Sequence, residues 1–149
     1  MLKTKSIITT ATCVLAFGLL SFKGDKDALN KKTFTLQVNE IKDGQVKNKK
    51  PLEDELEFKD GKVFSNILLD KHKFKWIKYT IMKDSTYEEE GEQKHLIDAM
   101  ASTTNEANEL VEINVKVDGF DIEGSYKLLK KDVVKKLYEF TGKEKVKKK

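Results

Sequence analysis

Apolar and polar residues alternate with a period of two along most of the chain beyond residue 32, as in half-buried β-strands. In the first two predicted strands, the apolar residues at every second position are Phe34, Leu36, Val38, Leu56 and Phe58. Asp60-Gly61 follows directly, and this dipeptide is the strongest short signal for a hairpin turn. We therefore expect a partner strand from residue 62 to about residue 69.

The same alternation is clearest in two later strands. Their apolar positions are Val111, Ile113, Val115 and Val117 in the first strand, and Phe120, Ile122, Gly124, Tyr126 and Leu128 in the second. Asp118-Gly119 lies between them and predicts another tight turn. Each strand then has one apolar and one polar face, as expected of an antiparallel sheet with one face in water.

Three other segments have a less regular pattern. Residues 74–83 are rich in aromatic and β-branched residues, but the apolar residues switch from even-numbered to odd-numbered positions between Trp76 and Ile77. This change predicts a bulge or a strand buried on both faces. Residues 93–104 and about 134–141 are interpreted as strands. Because both segments also place apolar residues at helical spacing, a short helix is the open alternative for each.

These elements amount to about eight short strands that alternate with turns. Such a series predicts an all-β fold in which antiparallel strands follow one another in up-and-down order. Closure into a barrel removes exposed sheet edges, and eight strands leave an interior that can just hold a small ligand. A barrel of about eight strands is the predicted architecture, and a two-sheet β-sandwich is the alternative.

The chain resembles the lipocalin-like, or calycin, group of small exported bacterial β-barrels over residues 33–143. The resemblance rests on the number of strands and on two hairpins, residues 56–65 and 117–126, which share the order strand, Asp-Gly, strand, then Gly or Ser. It implies a barrel that binds a small ligand. Two features depart from the group. Trp76 lies mid-chain rather than near the first strand, and Lys136-Leu137-Tyr138 is the nearest match to the Arg-x-Tyr of the related fatty-acid carriers.

The first 32 residues differ from the rest of the chain. Two lysines precede an uncharged stretch from Ser6 to Phe22, which predicts a cleaved secretory signal peptide at residues 1–21 and a periplasmic or secreted location. A retained membrane anchor and a lipoprotein cut before Cys13 are the alternatives. Residues 22–32 are polar and predict a flexible lead-in. Cleavage removes Cys13, the only cysteine, so packing without disulfides must stabilise the domain.

The chain has 29 basic and 25 acidic residues, and every basic residue is a lysine. Arginine is the side chain best suited to bidentate binding of phosphate and guanine, so its absence argues against sequence-specific nucleic-acid binding. The lysine-rich tail, residues 144–149, predicts at most a weak contact with an anionic membrane surface. A solvated, frayed end is the alternative.

Residues capable of catalysis are few. His72 and His95 are the only histidines, and no G-x-S-x-G nucleophile motif is present. A metal enzyme would bring His95 to the acidic run Glu88–Glu92 in a cleft. Consecutive acidic residues point in different directions, however, so a solvated loop is favoured over a metal site. The sequence predicts no catalysis, no cofactor and no metal ion.

Aromatic residues are the remaining candidates for a binding site. A ligand pocket is mostly apolar with a few placed polar groups, so the predicted ligand-binding residues are Phe64, Trp76, Tyr79, Tyr126 and Tyr138. The predicted function is an exported, non-enzymatic binding protein for a small apolar or amphipathic molecule. A protein-interaction or envelope-structural module without a ligand is the alternative, and the oligomeric state is left open.

Overall fold

The computed structural model describes residues 27–146. The predicted signal peptide, residues 22–26 of the predicted lead-in and the last three residues of the tail lie outside the described residues. Within the described part, nine strands and one helix follow in the order β1 Thr33–Lys42, β2 Gln45–Val46, β3 Leu52–Lys59, β4 Lys62–Ser65, α1 Asn66–His72, β5 Ile77–Glu89, β6 Glu92–Thr104, β7 Leu110–Asp118, β8 Asp121–Lys130 and β9 Val133–Glu144.

All neighbouring strands pair antiparallel, and the sheet closes on itself. Strand β1 pairs with β3 on one side and with β9 on the other, so β1 and β3 to β9 form a ring of eight strands. Strand β2 pairs only with the end of β1. The weakest seam is β4–β5, which has two register pairs, Lys62↔Lys78 and Val63↔Ile77. The predicted all-β, antiparallel, up-and-down architecture of about eight strands is confirmed.

The strands form because every second residue is apolar and faces the inside of the ring. Residues 93–104 and 133–144 belong to β6 and β9, so the strand predictions for these segments are confirmed and the helical alternatives are wrong. The buried residues make one core, to which every strand of the ring contributes. Its largest fully buried side chains are Tyr126, Tyr138, Phe34, Phe58, Phe74, Leu29, Leu36, Leu56, Leu68, Ile97, Ile113 and Leu128.

The strand predicted for residues 62–69 is too long, because it ends at Ser65 and a helix follows. Ser65 keeps an extended backbone, and its hydroxyl accepts a hydrogen bond from the Leu68 amide at 3.1 Å, which caps α1. Ile67 and Leu68 are both buried, as consecutive residues can be on a helix but not on a strand with one wet face. Lys73 ends α1 in the left-handed region at φ 63°.

Two further predictions are corrected at the starts of β5 and β8. The parity change between Trp76 and Ile77 arises because β5 begins only at Ile77, while the bulge lies later, between Ile81 and Lys83. Phe120 was expected to face inward, but its side chain is 64% exposed, because β8 begins one residue later and Phe120 still belongs to the turn.

The polar residues after Ile81 form ordered strand rather than a solvated loop. Strands β5 and β6 are 13 residues each, and they pair as far as Glu89↔Glu92. The pairing of β6 with β7 stops at Leu96↔Asp118, so the outer part of the β5–β6 hairpin projects beyond the ring. We call residues 84–95 the arm.

Each end of the ring is covered. At the end from which the arm projects, called the arm end, residues 28–32 form a turn whose Leu29 is fully buried. The Lys31 amide donates to the Phe58 carbonyl at 2.8 Å, so these residues of the predicted lead-in are packed. The opposite end, called the helix end, is covered by α1. In residues 27–146 no helix is long and apolar enough to cross a membrane.

Candidate functional site

The five residues predicted to bind a ligand lie in three separate places. Phe64 and Trp76 pack on each other on the outer face of the sheet, with ring centroids 5.1 Å apart. Tyr126 and Tyr138 are neighbours in the interior, with centroids 6.3 Å apart. Tyr79 lies toward the arm end, where its ring packs edge-on against Phe58 at 5.1 Å. The structure therefore brings these residues together in two pairs and not in one pocket.

The interior tyrosines have partners within the protein. The Tyr126 hydroxyl donates to Asp54 Oδ2 at 2.7 Å, and the Tyr138 hydroxyl lies 3.1 Å from His72 Nε2. Burial raises the pKa of both phenols, and the nearby Asp54 carboxyl adds to the effect on Tyr126. Both hydroxyls are thus engaged in contacts that hold the barrel together.

Sequence reasoning missed Asp54, which is only 4% exposed. Its Oδ2 accepts from the Ser65 hydroxyl at 2.6 Å as well as from Tyr126, and its Oδ1 accepts from the Glu55 and Ile67 amides at 2.8 and 3.2 Å. The alternation pattern did indicate that Asp54 faces inward, because it lies two residues before Leu56 and four before Phe58 on the same side of β3. This carboxyl joins β3, β4, α1 and β8, and its role is structural.

A large cleft lies at the arm end and has a volume of about 1090 Å³. We call it the rim cleft. It is bounded by the arm, the β7–β8 turn, the end of β9 and the first described residues. Its lining residues are Asp27, Ala28, Lys32, Ile81, Asp84, Glu92, Gln93, Lys94, His95, Ile97, Val117, Asp118, Gly119, Phe120, Asp121, Lys143 and Glu144.

The floor of the rim cleft is apolar. Ile97 and Val117 are the last inward residues of β6 and β7 at this end, and Ile81 lies beside them before the bulge in β5. Phe120 adds an exposed ring from the β7–β8 turn. Ile97 and Val117 are almost completely buried, so the apolar surface that is open to the cleft comes mainly from Ile81 and Phe120.

Tyr79 anchors one edge of the rim cleft without lining it. Its hydroxyl lies 2.9 Å from both carboxyl oxygens of Asp27, and the Leu29 amide donates to the same carboxyl at 2.9 Å. Burial, followed by the hydrogen bond to Asp27, raises the pKa of Tyr79 well above its usual range. The neutral phenol thus fixes Asp27 at the wall of the cleft.

The arm is tied to the opposite wall of the cleft. The Tyr87 hydroxyl donates to Asp118, and this hydrogen bond raises the pKa of the phenol. The Gly119 amide donates to the His95 carbonyl at 2.9 Å. At the tip, Glu90 and Gly91 have φ values of 51° and 81°, as a tight two-residue hairpin turn requires. The arm is therefore held against the β7–β8 turn rather than standing free.

The wall of the rim cleft is negatively charged. Six carboxylates and three lysines line it, a net formal charge of −3 with His95 neutral. Two of the lysines are paired within the cleft, Lys32 with Glu144 at 3.1 Å and Lys143 with Asp121 at 2.6 Å. Lys94 is paired with Glu89 at 3.2 Å. The excess of acceptors suits a ligand with a neutral or positively charged polar group.

The arm also contains the acidic run considered for metal binding. His95 Nδ1 lies 3.2 Å from Asp84 Oδ1, and both side chains are well exposed. Among residues 27–146, no group of three or more His, Cys, Asp or Glu side chains is arranged to hold a metal ion. The His95–Asp84 pair is an exposed side-chain contact across the two strands of the arm.

Comparison with known proteins adds no family to this description. No family model, no curated protein and no solved structure matches the chain. The similarity to lipocalin-like barrels, which rests on the strand count and two hairpin sequences, therefore stays a prediction.

Proposed function

We propose that the chain is an exported, non-enzymatic binding protein for a small apolar or amphipathic molecule, and that the rim cleft is its binding site. The single observation behind the proposal is the combination of an apolar floor and a charged wall in a cleft of about 1090 Å³. Ligand sites are concave, mostly apolar and provided with a few polar groups that fix orientation. The mouth of a β-barrel is one of the places where such sites occur.

The proposal moves the site from the barrel interior to its arm end. Tyr126 and Tyr138 are buried and hydrogen-bonded within the protein, and Phe64 and Trp76 lie outside the ring. Of the predicted binding residues, Tyr79 alone contacts the cleft wall, through Asp27. We assign the apolar contact with the ligand to Phe120 and Ile81.

The charge of the wall narrows the class of ligand. A negatively charged head group would lie among the six carboxylates of the wall. The three lysines of the cleft are already paired with carboxylates. A neutral hydrogen-bond donor or a cation is favoured instead, because opposite charges attract and like charges repel across a few ångströms. The proposed ligand is a small amphipathic molecule whose polar group is neutral or cationic.

Native mass spectrometry tests for a resident ligand. The protein is purified from the cells that produce it and weighed before and after denaturation. We expect an additional small mass that is lost on unfolding and that identifies the ligand class. A mass equal to that of the polypeptide alone, together with no binding in the dye experiment that follows, would overturn the proposal.

Two dyes with the same ring system test the site and its charge preference. N-phenyl-1-naphthylamine is neutral, and 1-anilinonaphthalene-8-sulfonate carries a negative charge. We expect the neutral dye to bind more tightly and Phe120→Asp to weaken it about tenfold, because a burial of one aromatic ring is worth about 1.5–3 kcal/mol. Val133→Asp is the matched control, since Val133 is 54% exposed at the helix end. Equal losses in the two variants would exclude the rim cleft.

The protein-interaction module is the second candidate, and one observation favours it. Trp76 is 41% exposed on the outer face, where it packs on Phe64. Exposed aromatic residues mark interaction surfaces when they belong to a contiguous patch. A ligand-free mass in the first experiment, combined with a stable partner retained during purification, would favour this candidate.

A further inference from the structure

Three lysines lie directly opposite one another on the outer face of three adjacent strands. Lys59 of β3 pairs in register with Lys62 of β4, and Lys62 pairs with Lys78 of β5. All three side chains are exposed. Within residues 27–146 none of them takes part in an ion pair. We call these residues the lysine row.

The lysine row works against the stability of the isolated sheet. Like charges directly opposite each other on neighbouring strands are destabilising. The Lys62↔Lys78 pair is one of only two register pairs that join β4 to β5, so the repulsion falls on the weakest seam of the ring. An anionic partner on this face would remove the repulsion.

An aromatic pair lies in the next row of the same face. Phe64 follows Lys62 by two residues in β4, and Trp76 precedes Lys78 by two residues, just before β5 begins; their ring planes are tilted by 37°. Glu57, which pairs with Phe64, is the neighbouring carboxylate on β3. A tryptophan combines a large apolar ring with an N–H donor, and it is enriched where membrane lipid meets water.

We propose that the lysine row and the Phe64–Trp76 pair form one docking surface for an anionic lipid membrane. The lysine ammonium groups would contact phosphate head groups, and the exposed ring of Trp76 would lie at the head-group level. Charge complementarity supplies the attraction, because each lysine near an anionic membrane surface contributes to binding. A lipid surface accounts for the aromatic pair as well as for the lysines. This surface shares no residue with the rim cleft or with the lysine-rich tail.

The fluorescence of Trp76 tests the proposal directly, because Trp76 is the only tryptophan of the chain. The full chain is mixed with vesicles of phosphatidylcholine and phosphatidylglycerol, and separately with vesicles of phosphatidylcholine alone. We expect a blue shift of the emission with the anionic vesicles only, and its reversal by salt. The triple variant Lys59→Gln, Lys62→Gln, Lys78→Gln should bind these vesicles on the order of 100-fold more weakly.

A second triple variant controls for net charge. Lys49→Gln, Lys116→Gln and Lys130→Gln change three exposed lysines that form no ion pair among the described residues. It retains the same N-terminal segment and tail, and it should bind within about threefold of the unaltered chain, because attraction to charges outside the docking surface is weak. Equal weakening of the two variants, or an unchanged Trp76 spectrum, would overturn the proposal. A blue shift with soluble dextran sulfate but not with vesicles would also overturn it in favour of a polyanion.

Discussion

Asp54 and its donors show how one polar residue fixes an otherwise apolar core. The carboxyl is buried, yet each of its oxygens accepts two hydrogen bonds. A buried polar group is tolerated when it is fully hydrogen-bonded and becomes costly when a partner is removed. Three of the donors come from β4, α1 and β8, so this residue fixes the positions of these elements relative to β3.

Replacing Asp54 by alanine is therefore expected to destabilise the protein strongly. The hydroxyls of Ser65 and Tyr126 would lose an acceptor in the interior, and the Ile67 amide at the start of α1 would lose one as well. We expect a loss of about 4 kcal/mol in the free energy of unfolding, measured by urea denaturation. Glu53→Ala is the control on the exposed face of the same strand and should cost less than about 0.5 kcal/mol. Comparable losses would contradict the assigned role.

His72 should make stability depend on pH. Burial lowers its pKa from the ordinary value of 6.5, the nearby Lys136 and Lys71 lower it further, and Glu109 opposes them. Between the folded pKa and 6.5 the unfolded chain binds more protons at this residue than the folded chain does. The free energy of unfolding therefore rises with pH through this window and falls as the solution is acidified below 6.5.

The variant His72→Gln isolates this contribution. Its free energy of unfolding should change less between about pH 5 and pH 7 than that of the unaltered protein, measured by denaturation at each pH. Parallel curves for His72→Gln and the unaltered protein would show that protonation of His72 is not opposed by folding.

At the scale of elements, the strands themselves were readable because alternation and Asp-Gly turns are local signals. The long β5–β6 hairpin could not be predicted from the pattern, because residues 84–91 are polar at both odd and even positions and none of them is buried. The helix α1 was missed because its cap depends on Ser65 and on the distant Asp54. The local pattern of apolar residues thus predicts elements that bury one face. It fails where a contact with a residue distant in sequence determines which element forms.

Gly124 in β8 illustrates such a tertiary requirement within a strand. A Cβ at this position would lie 2.0 Å from the Asn114 carbonyl oxygen in β7 and 2.7 Å from the ring of Phe140 in β9. We expect Gly124→Ala to lower the free energy of unfolding by about 3 kcal/mol, because backbone must move to admit the methyl group. Ser125→Ala, on the opposite face, is the control and should cost less than about 1 kcal/mol. A neutral Gly124→Ala would mean that β7 and β9 can separate here without loss.

At the scale of the whole molecule, the candidate site is a product of topology. The alternation pattern alone does not distinguish these aromatic residues from one another. In the structure, however, Tyr126 faces the interior, Trp76 lies on the outer face and Phe120 lies at the rim cleft. The rim cleft combines residues from the first described turn, the arm, the β7–β8 turn and β9. No local pattern could bring these segments together, so the place of the proposed site could not be predicted from the sequence.

Because the arm contributes to the cleft but not to the core, its removal should separate binding from folding. We would replace residues 86–95 by Asn-Gly, which joins Ser85 to Leu96, two residues that face each other in the β5–β6 register. The removed residues bury no side chain in the core, so the free energy of unfolding should change by less than about 1 kcal/mol. Binding of N-phenyl-1-naphthylamine should fall about tenfold or more, because one wall of the cleft is lost and its floor opens to water. A shortened protein that unfolds much more readily would show that the arm supports the ring. A shortened protein that binds the dye as before would show that the floor and Phe120 suffice without the arm.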